Sequence, residues 1–192
     1  MKKSFPCYIR TAGIDEVGVG AIAGDIVSSA VILDSKFPIF GLQDSKKISL
    51  KKRLFLYEQI VKNAYSWSIG RVSCKEIDIL RVSKAIELSM IRAINRLMIK
   101  PTFIFIDGVK TLNISIPNVS IIKGDNIVEE ISAASIIAKV SRDNSMVILD
   151  KIFPKYGFLN HKGYCTSQHV CALKKYGFTK FHRRSYRLKL YQ

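Results

Sequence analysis

No stretch of this sequence approaches the length and apolarity of a membrane span. Its start carries two lysines without the apolar core of a signal peptide. The four cysteines, Cys7, Cys74, Cys165 and Cys171, show no C-x-x-C spacing, which argues against a zinc site. Without a secretory signal, free thiols in a reducing, cytoplasmic setting are the simple expectation, with Cys7 in the first strand and the others at small core or surface positions. No internal repeat, low-complexity segment or clear interdomain linker is present. Acidic residues are scarce: 15 Asp and Glu against 31 Lys and Arg leave a net charge of +16. They are missing altogether from Lys151 to Gln192, a stretch holding ten Lys or Arg, all three histidines (His161, His169, His182) and nine of the 19 aromatic residues. This balance favours a polyanionic partner, nucleic acid before an anionic membrane surface. Basic groups interleaved with rings, among them Tyr156, Phe158, Tyr164, Tyr176 and Tyr186, suit a surface that holds a phosphate backbone and stacks on sugars or bases.

What is present is material for one ordinary domain, 192 residues with 48% apolar content. Cys7 to Leu33 reads as two strands around a glycine-punctuated turn at Gly18, Gly20 and Gly24. Ser49 is placed to cap a helix from Leu50 to about Asn63, with Leu54, Tyr57 and Val61 on its inner face. A third strand follows at Tyr65 to Ser73, and Val82 to Ile99 has helical spacing closed by Pro101. Phe103 to Ile106 is an apolar run suited to a buried central strand ending at Asp107-Gly108. Val119 to Ile122 repeats the pattern before Lys123-Gly124-Asp125. A long helix runs from about Val128 to Phe153, with Ala133, Ala134, Ser135 and Ala138 small enough for close approach to the sheet or a ligand. Ser167 to Lys175 is a last short helix. The order predicts an α/β domain with a mixed sheet: a hairpin-like antiparallel start and parallel neighbours supplied by helical crossovers. Residues 1–153 form the main body, and 154–192 a small helical, basic lobe packed on it.

Acidic residues recur at one topological point, where an apolar strand meets glycine: Asp15-Glu16 before Gly18, Asp107 before Gly108, and Asp125 after Gly124. On neighbouring strands these would cluster four carboxylates at one edge of the sheet, where unpaired they repel and some pKa values rise. Divalent cations resolve the repulsion, and hard oxygen ligands suit Mg²⁺ or Mn²⁺. Two such ions about 4 Å apart can serve an in-line phosphoryl displacement. Successive strand residues face opposite ways, so Asp15 and Glu16 can share a site only if the following glycines permit a bend or bulge.

The same residues carry a likeness to a known family. Ala12-Gly13-Ile14-Asp15-Glu16-Val17-Gly18 with Ala23-Gly24, then Asp44-Ser45-Lys46-Lys47, Phe105-Ile106-Asp107-Gly108 and Lys123-Gly124-Asp125 occur in order. Ile131-Ser132-Ala133-Ala134-Ser135-Ile136-Ile137-Ala138-Lys139-Val140 follows, then His161-Lys162-Gly163-Tyr164 with His169 and His182-Arg183-Arg184-Ser185-Tyr186. Together they resemble ribonuclease HII over nearly the whole chain. The resemblance implies a ribonuclease H-like fold and a Mg²⁺- or Mn²⁺-dependent endonuclease. The substrate it implies is the RNA strand of RNA–DNA hybrids, or single ribonucleotides in duplex DNA. It assigns metal-ligand and catalytic roles to Asp15, Glu16, Asp107 and Asp125. It also implies that Gly18, Val19 and Gly20 read the 2′-OH, and that Tyr164 stacks on the sugar after a lone ribonucleotide. Lys46, Lys47, Ser135 and Lys139 would contact or shape the groove for the backbone. A single chain acting as a monomer is expected, without the extra N-terminal domain of ribonuclease HIII, because the first acid is residue 15.

The chain departs from the family pattern twice. Gly18-Val19-Gly20 stands where the family has G-R-G, so the arginine's phosphate contact is gone, and a β-branched residue is poorly suited to unusual φ/ψ. Asp25 replaces a proline and adds negative charge near the site. Metal binding and hybrid cleavage should survive while affinity, or preference for single ribonucleotides, weakens. Arg142-Asp143 reads as a surface or structural ion pair, and the histidines as structural or phosphate-adjacent. Glu129 and Glu130 suit the positive end of a helix dipole, with Glu130 a further candidate near the metals. Two other readings stay open: a DNA nuclease or strand-transferase of the same architecture, and a basic nucleic-acid-binding protein without catalysis.

Overall fold

A computed structural model describes residues 10–186; the position expected for Cys7 lies outside them. Five strands, β1 (Thr11–Val17), β2 (Ile26–Ile32), β3 (Ser66–Val72), β4 (Phe103–Asp107) and β5 (Asn118–Ile121), form one sheet in the order β3-β2-β1-β4-β5. β1 pairs antiparallel with β2, and β2 with β3, whereas β1, β4 and β5 run parallel. The mixed sheet is as expected, and its cause is visible in the connections: a short loop joins β1 to β2, and a helix carries the chain from β3 to β4.

Helix α1 (Leu50–Asn63) begins at Ser49, whose side chain accepts from the Lys52 N–H. Its buried residues are Leu56 and Ile60, while Leu54 and Val61, expected inside, are exposed. Apolar residues at 50, 54, 55, 56, 57, 60 and 61 nearly encircle this helix, so its sequence does not set which stripe faces inward. Helix α2 (Cys74–Arg96) starts well before the expected Val82. Ser73 and Glu76 form a reciprocal capping box, and Arg81, at φ 67° and ψ 166°, interrupts the helix. The expected helix is the part beyond that kink.

Both faces of the sheet are covered. On one, Ala12, Ile14, Ala30, Ile32, Ile104 and Ile106 pack against Met90, Ala93 and Ile94 of α2 and Leu97 just beyond its end. On the other, Val31 meets Leu56 and Ile60 of α1 and Ala133, Ala134, Ile136, Ile137 and Val140 of α3 (Glu129–Ile152). β2 is accordingly buried at all seven positions. α3 crosses β1 so closely that a Cβ on Gly13 would lie 2.0 Å from the Glu130 carbonyl carbon, so only glycine fits there. Ser29 Oγ donates to the Ala134 carbonyl across the same contact at 2.7 Å. β4 is buried on alternate residues only, with Phe103 and Phe105 half-exposed, and β5 is an edge strand. Neither is the fully buried strand that its apolar run suggested, because helices cover the centre of the sheet more completely than its β5 side.

Beyond α3 a single turn (Pro154–Tyr156), α4 (Phe158–His161) and α5 (Ser167–Tyr176) fold back on the main body. Ile22, Ala23, Met146 and Leu149 join Tyr156, Phe158, Ala172 and Leu173 in one apolar cluster. Tyr156 stacks on Phe158 with centroids 5.4 Å apart. These rings build the lobe's own core instead of the stacking surface that basic–aromatic interleaving suggested.

Candidate active site

Parallel pairing of β1 and β4 sets Ile14 opposite Ile106, which brings the following residues, Asp15 and Asp107, side by side. β4 and β5 pair Asp107 with Ile121, and the Gly124 N–H donates to Asp107 Oδ1 at 2.7 Å. That bond holds the helical turn Gly124–Asn126, which presents Asp125. Carboxylate oxygens of Asp15, Asp107 and Asp125 all lie within 4.8 Å of one another. Two placements differ from expectation. Asp15 lies inside β1, two residues before its end, and Asp125 sits on a turn beyond β5.

Glu16 is the fourth acid, and it stands apart from that group of three. The β1–β2 register runs without a slip through Glu16–Ser28 and Val17–Val27, so no bulge turns Glu16 onto the face of Asp15. It flanks the group instead, lining with Asp107 a cleft of about 510 Å³ that Ser83, Ile86, Met90 and Lys110 also border. Burial, then the neighbouring Glu16 and Asp107, hold the Asp15 carboxyl well above the usual range. Burial and Asp107 push Glu16 up to about 7, against the opposing charge of Lys46. Asp125 is raised too, by burial first and by Asp44 and Asp107 next. Among the described residues the ion pairs are Arg92–Glu76 and Lys139–Asp143, so none of the four acids has a cationic partner in contact. Three hard oxygen donors within 4.8 Å of one another, without a cationic side chain in contact among the described residues, fit a divalent metal ion.

The remaining sequence candidates take different places in the fold. Lys46 lies close enough to the acids to lower Glu16 and Asp125. Lys47 donates to Asn126, the neighbour of Asp125. Ser135 is buried and accepts from the Ser45 N–H at 3.3 Å, so it shapes the Asp44–Lys47 loop from beneath. Lys139 is half-buried in its ion pair with Asp143. Tyr164 is 37% exposed, with the Arg142 guanidinium 5.4 Å from its ring centroid. Glu130 does not join the acids; it accepts from Thr11 Oγ1 at the start of β1.

The loop Gly18–Gly24 is clasped by residues that sequence reasoning misread or missed. Arg142, expected to pair with Asp143, is buried and donates to the carbonyls of Ala23, Asp25 and Lys162. Gly18, at φ +87°, makes room for it: a Cβ there would lie 2.1 Å from Arg142 Nε. Arg183, counted among the surface cations, is fully buried and donates to the carbonyls of Val19 and Gly24. Tyr186 Oη also donates to Val19 O, at 2.6 Å. In this loop the left-handed conformations fall on Gly18 and Gly24, not on Val19, so the stiffness of valine carries no strain. Asp25 faces Arg71, Arg183 and Arg142 and not the four acids, with burial raising its pKa. Sequence patterning gives little signal for this clasp, because apart from Lys162 its partners are backbone carbonyls 117 to 164 residues away.

The ribonuclease HII family pattern matches residues 12–189. Among solved structures, ribonuclease H2 from Pyrococcus horikoshii OT3 is 27% identical with a TM-score of 0.79, covering 93% of this chain and 94% of that one. Ribonuclease HII of Archaeoglobus fulgidus, solved in complex with PCNA, is 25% identical with a TM-score of 0.81, covering 94% and 96%. Bst-RNase HIII in complex with Mn²⁺ shares the fold at 17% identity, a TM-score of 0.71 and coverage of 93% and 67%.

Proposed function

The chain belongs to the ribonuclease HII family, and on that premise we propose that Asp15, Glu16, Asp107 and Asp125 are the catalytic and metal-holding acids of an endonuclease acting on RNA–DNA hybrids and on ribonucleotides in duplex DNA. The observation that carries the residue assignment is the convergence of Asp15, Asp107 and Asp125 within 4.8 Å, without a cationic partner in contact. When bound, Mg²⁺ or Mn²⁺ would favour ionisation of the attacking water and offset charge on the phosphate. Asp15, Asp107 and Asp125 would supply the central oxygen ligands, and Glu16, flanking them beside Asp107, a further one. Water adds to phosphorus and gives up a proton as the bond to the leaving oxygen breaks, and that oxygen leaves protonated. Lys46 lies beside these acids and offsets the negative charge gathering there.

Gly18, Val19 and Gly20 approach the ribose through their backbone, and Tyr164 offers a half-exposed ring to the next sugar. Lys47 and Lys139 border the groove, and Ser135 supports it. Residues 154–192 serve as the lobe that carries Tyr164, packed on the catalytic body of residues 1–153. Both the acids and Tyr164 come from one chain, which suits a monomer. The free thiols of Cys74, Cys165 and Cys171 suit a cytoplasmic setting.

The test is cleavage of two duplexes, one with a lone ribonucleotide and one with an RNA run, each with Mg²⁺ and with Mn²⁺. Asp107→Asn should reduce cleavage of both by about a hundred- to a thousandfold, the scale of losing one electrostatic element of an active site. Undiminished cleavage by Asp107→Asn would sink the metal-site reading. Equal cleavage of an all-DNA duplex would favour a DNA nuclease.

A further inference from the structure

Three buried imidazoles lie behind Tyr164 and have no part in the reaction as described so far. His161 and His169 stack with centroids 4.3 Å apart, and His169 Nε2 is 3.0 Å from His182 Nε2. Their backbone partners fix every tautomer. The Thr179 N–H donates to His182 Nδ1 at 2.9 Å, so the proton of His182 is on Nε2 and is donated to His169. His169 Nε2 is therefore an acceptor, and its Nδ1–H donates to the Tyr164 carbonyl at 2.9 Å. The Gly163 N–H donates to His161 Nδ1 at 3.2 Å, leaving His161 Nε2–H to donate to the Tyr156 carbonyl at 2.9 Å. Burial keeps His169 and His182 neutral, pushing each down to about 4.

Both ends of the Gly163–Tyr164 dipeptide are thus held by imidazoles, at the Gly163 nitrogen and the Tyr164 oxygen. Between them, the Gly163 carbonyl accepts from the Ile22 and Ala23 N–H groups at 2.9 and 3.2 Å. Those two residues lie one position beyond the Gly18–Gly20 turn, after Ala21. A surface tyrosine and a loop more than 140 residues away are tied through one dipeptide, whose outer ends meet His161 and His169, with the Thr166 N–H as a second donor to the Tyr164 carbonyl at 2.9 Å.

We infer that His161, His169 and His182 are positioning residues that set Tyr164 against the Gly18–Ala23 loop and thereby tune discrimination of a lone ribonucleotide from an RNA run. The inference rests on the assignment of Tyr164 to the sugar. A ring displaced by a fraction of an ångström keeps its exposure but loses register with a sugar that the loop must hold at the same time. An RNA run offers a scissile ribonucleotide in more than one register, so its cleavage depends less on that setting.

The measurement is the ratio of kcat/KM for the one-ribonucleotide duplex to that for the RNA-run duplex, with kcat and KM resolved for each. His182→Asn keeps an acceptor for Thr179 and cuts the link to His169; His182→Gln keeps a donor where Nε2 stood. His161→Gln retains the bond to Tyr156 and removes the acceptor for Gly163. His182→Asn and His161→Gln should each lower the ratio about tenfold, the scale of one lost buried hydrogen bond, mainly through kcat on the one-ribonucleotide duplex. His182→Gln should bring it back to within about twofold of the parent. If His182→Asn fails to fold, His161→Gln decides alone. A ratio unchanged in the folded variants, or a parallel fall on both duplexes, overturns the inference. Tyr164→Ala separates the two readings: if it leaves the ratio at the parent value, the Tyr164 assignment fails and the inference with it. If it lowers the ratio while the histidine variants do not, the inference alone fails.

Discussion

Glu16 and the buried histidines pull the pH dependence of stability in opposite directions. Glu16 titrates near 7 in the fold against an ordinary 4.5, so the metal-free fold binds that proton more tightly than the unfolded chain does. Its contribution is fully present below about 4.5 and is lost as pH rises through 7. His169 and His182 are lowered from 6.5 to about 4, so their contribution is present above 6.5 and is lost as pH falls towards 4. Melting temperatures in chelator should therefore decline on both sides of an intermediate pH. Glu16→Gln should remove part of the alkaline decline, raising stability near pH 8 by on the order of 1–3 kcal/mol. An unaltered alkaline limb in that variant would contradict the repulsion described for the site. Val19 is the other telling single residue. Its carbonyl is held by Arg183 and Tyr186 and its φ is not left-handed, so the fold accepts a longer side chain there. Val19→Arg should tighten binding of the one-ribonucleotide duplex about tenfold and steepen its salt dependence by about one counterion. Identical binding isotherms for the two proteins would show that the missing arginine costs nothing.

At the scale of elements, the approach of α3 to β1 decides where the acids stand. Gly13 lies two residues before Asp15, and any Cβ there meets the backbone of Glu130 and Ile131. Gly13→Ala should destabilise the protein by about 2–4 kcal/mol, with denaturant unfolding as the readout. Because α3 also carries Ser132, which donates to the Asp125 carbonyl at 2.6 Å, the same variant should weaken metal-induced stabilisation. Wild-type stability in Gly13→Ala would mean that the helix can shift without cost. The position of α3 was legible in its small-residue stripe, and α1 in its Ser49 cap, because both signals are local. The inward stripe of α1 was not, since Leu54, Leu56, Ile60 and Val61 are equally apolar and only the facing layer chooses among them. Nor was the start of α2 read, although Ser73 and Glu76 carried its capping signal. The strand ends revealed the acids, but only the unbroken β1–β2 register showed Glu16 standing apart from the other three.

For the whole molecule, the +16 charge is not spread as its sequence suggests. Arg142 and Arg183 are buried against carbonyls, and Lys139 is bound in an ion pair, so the cations free to meet phosphate are fewer than the net charge implies. The sequence showed the polymer-binding character but could not separate internal cations from external ones, because a guanidinium that serves the backbone looks the same in one dimension. The clasp on the Gly18–Gly24 loop also sets an order in time. Asp15, Glu16, Asp107 and Asp125 all precede Arg183 and Tyr186 in the chain, so during synthesis the acids are present before the side chains that brace the loop beside them.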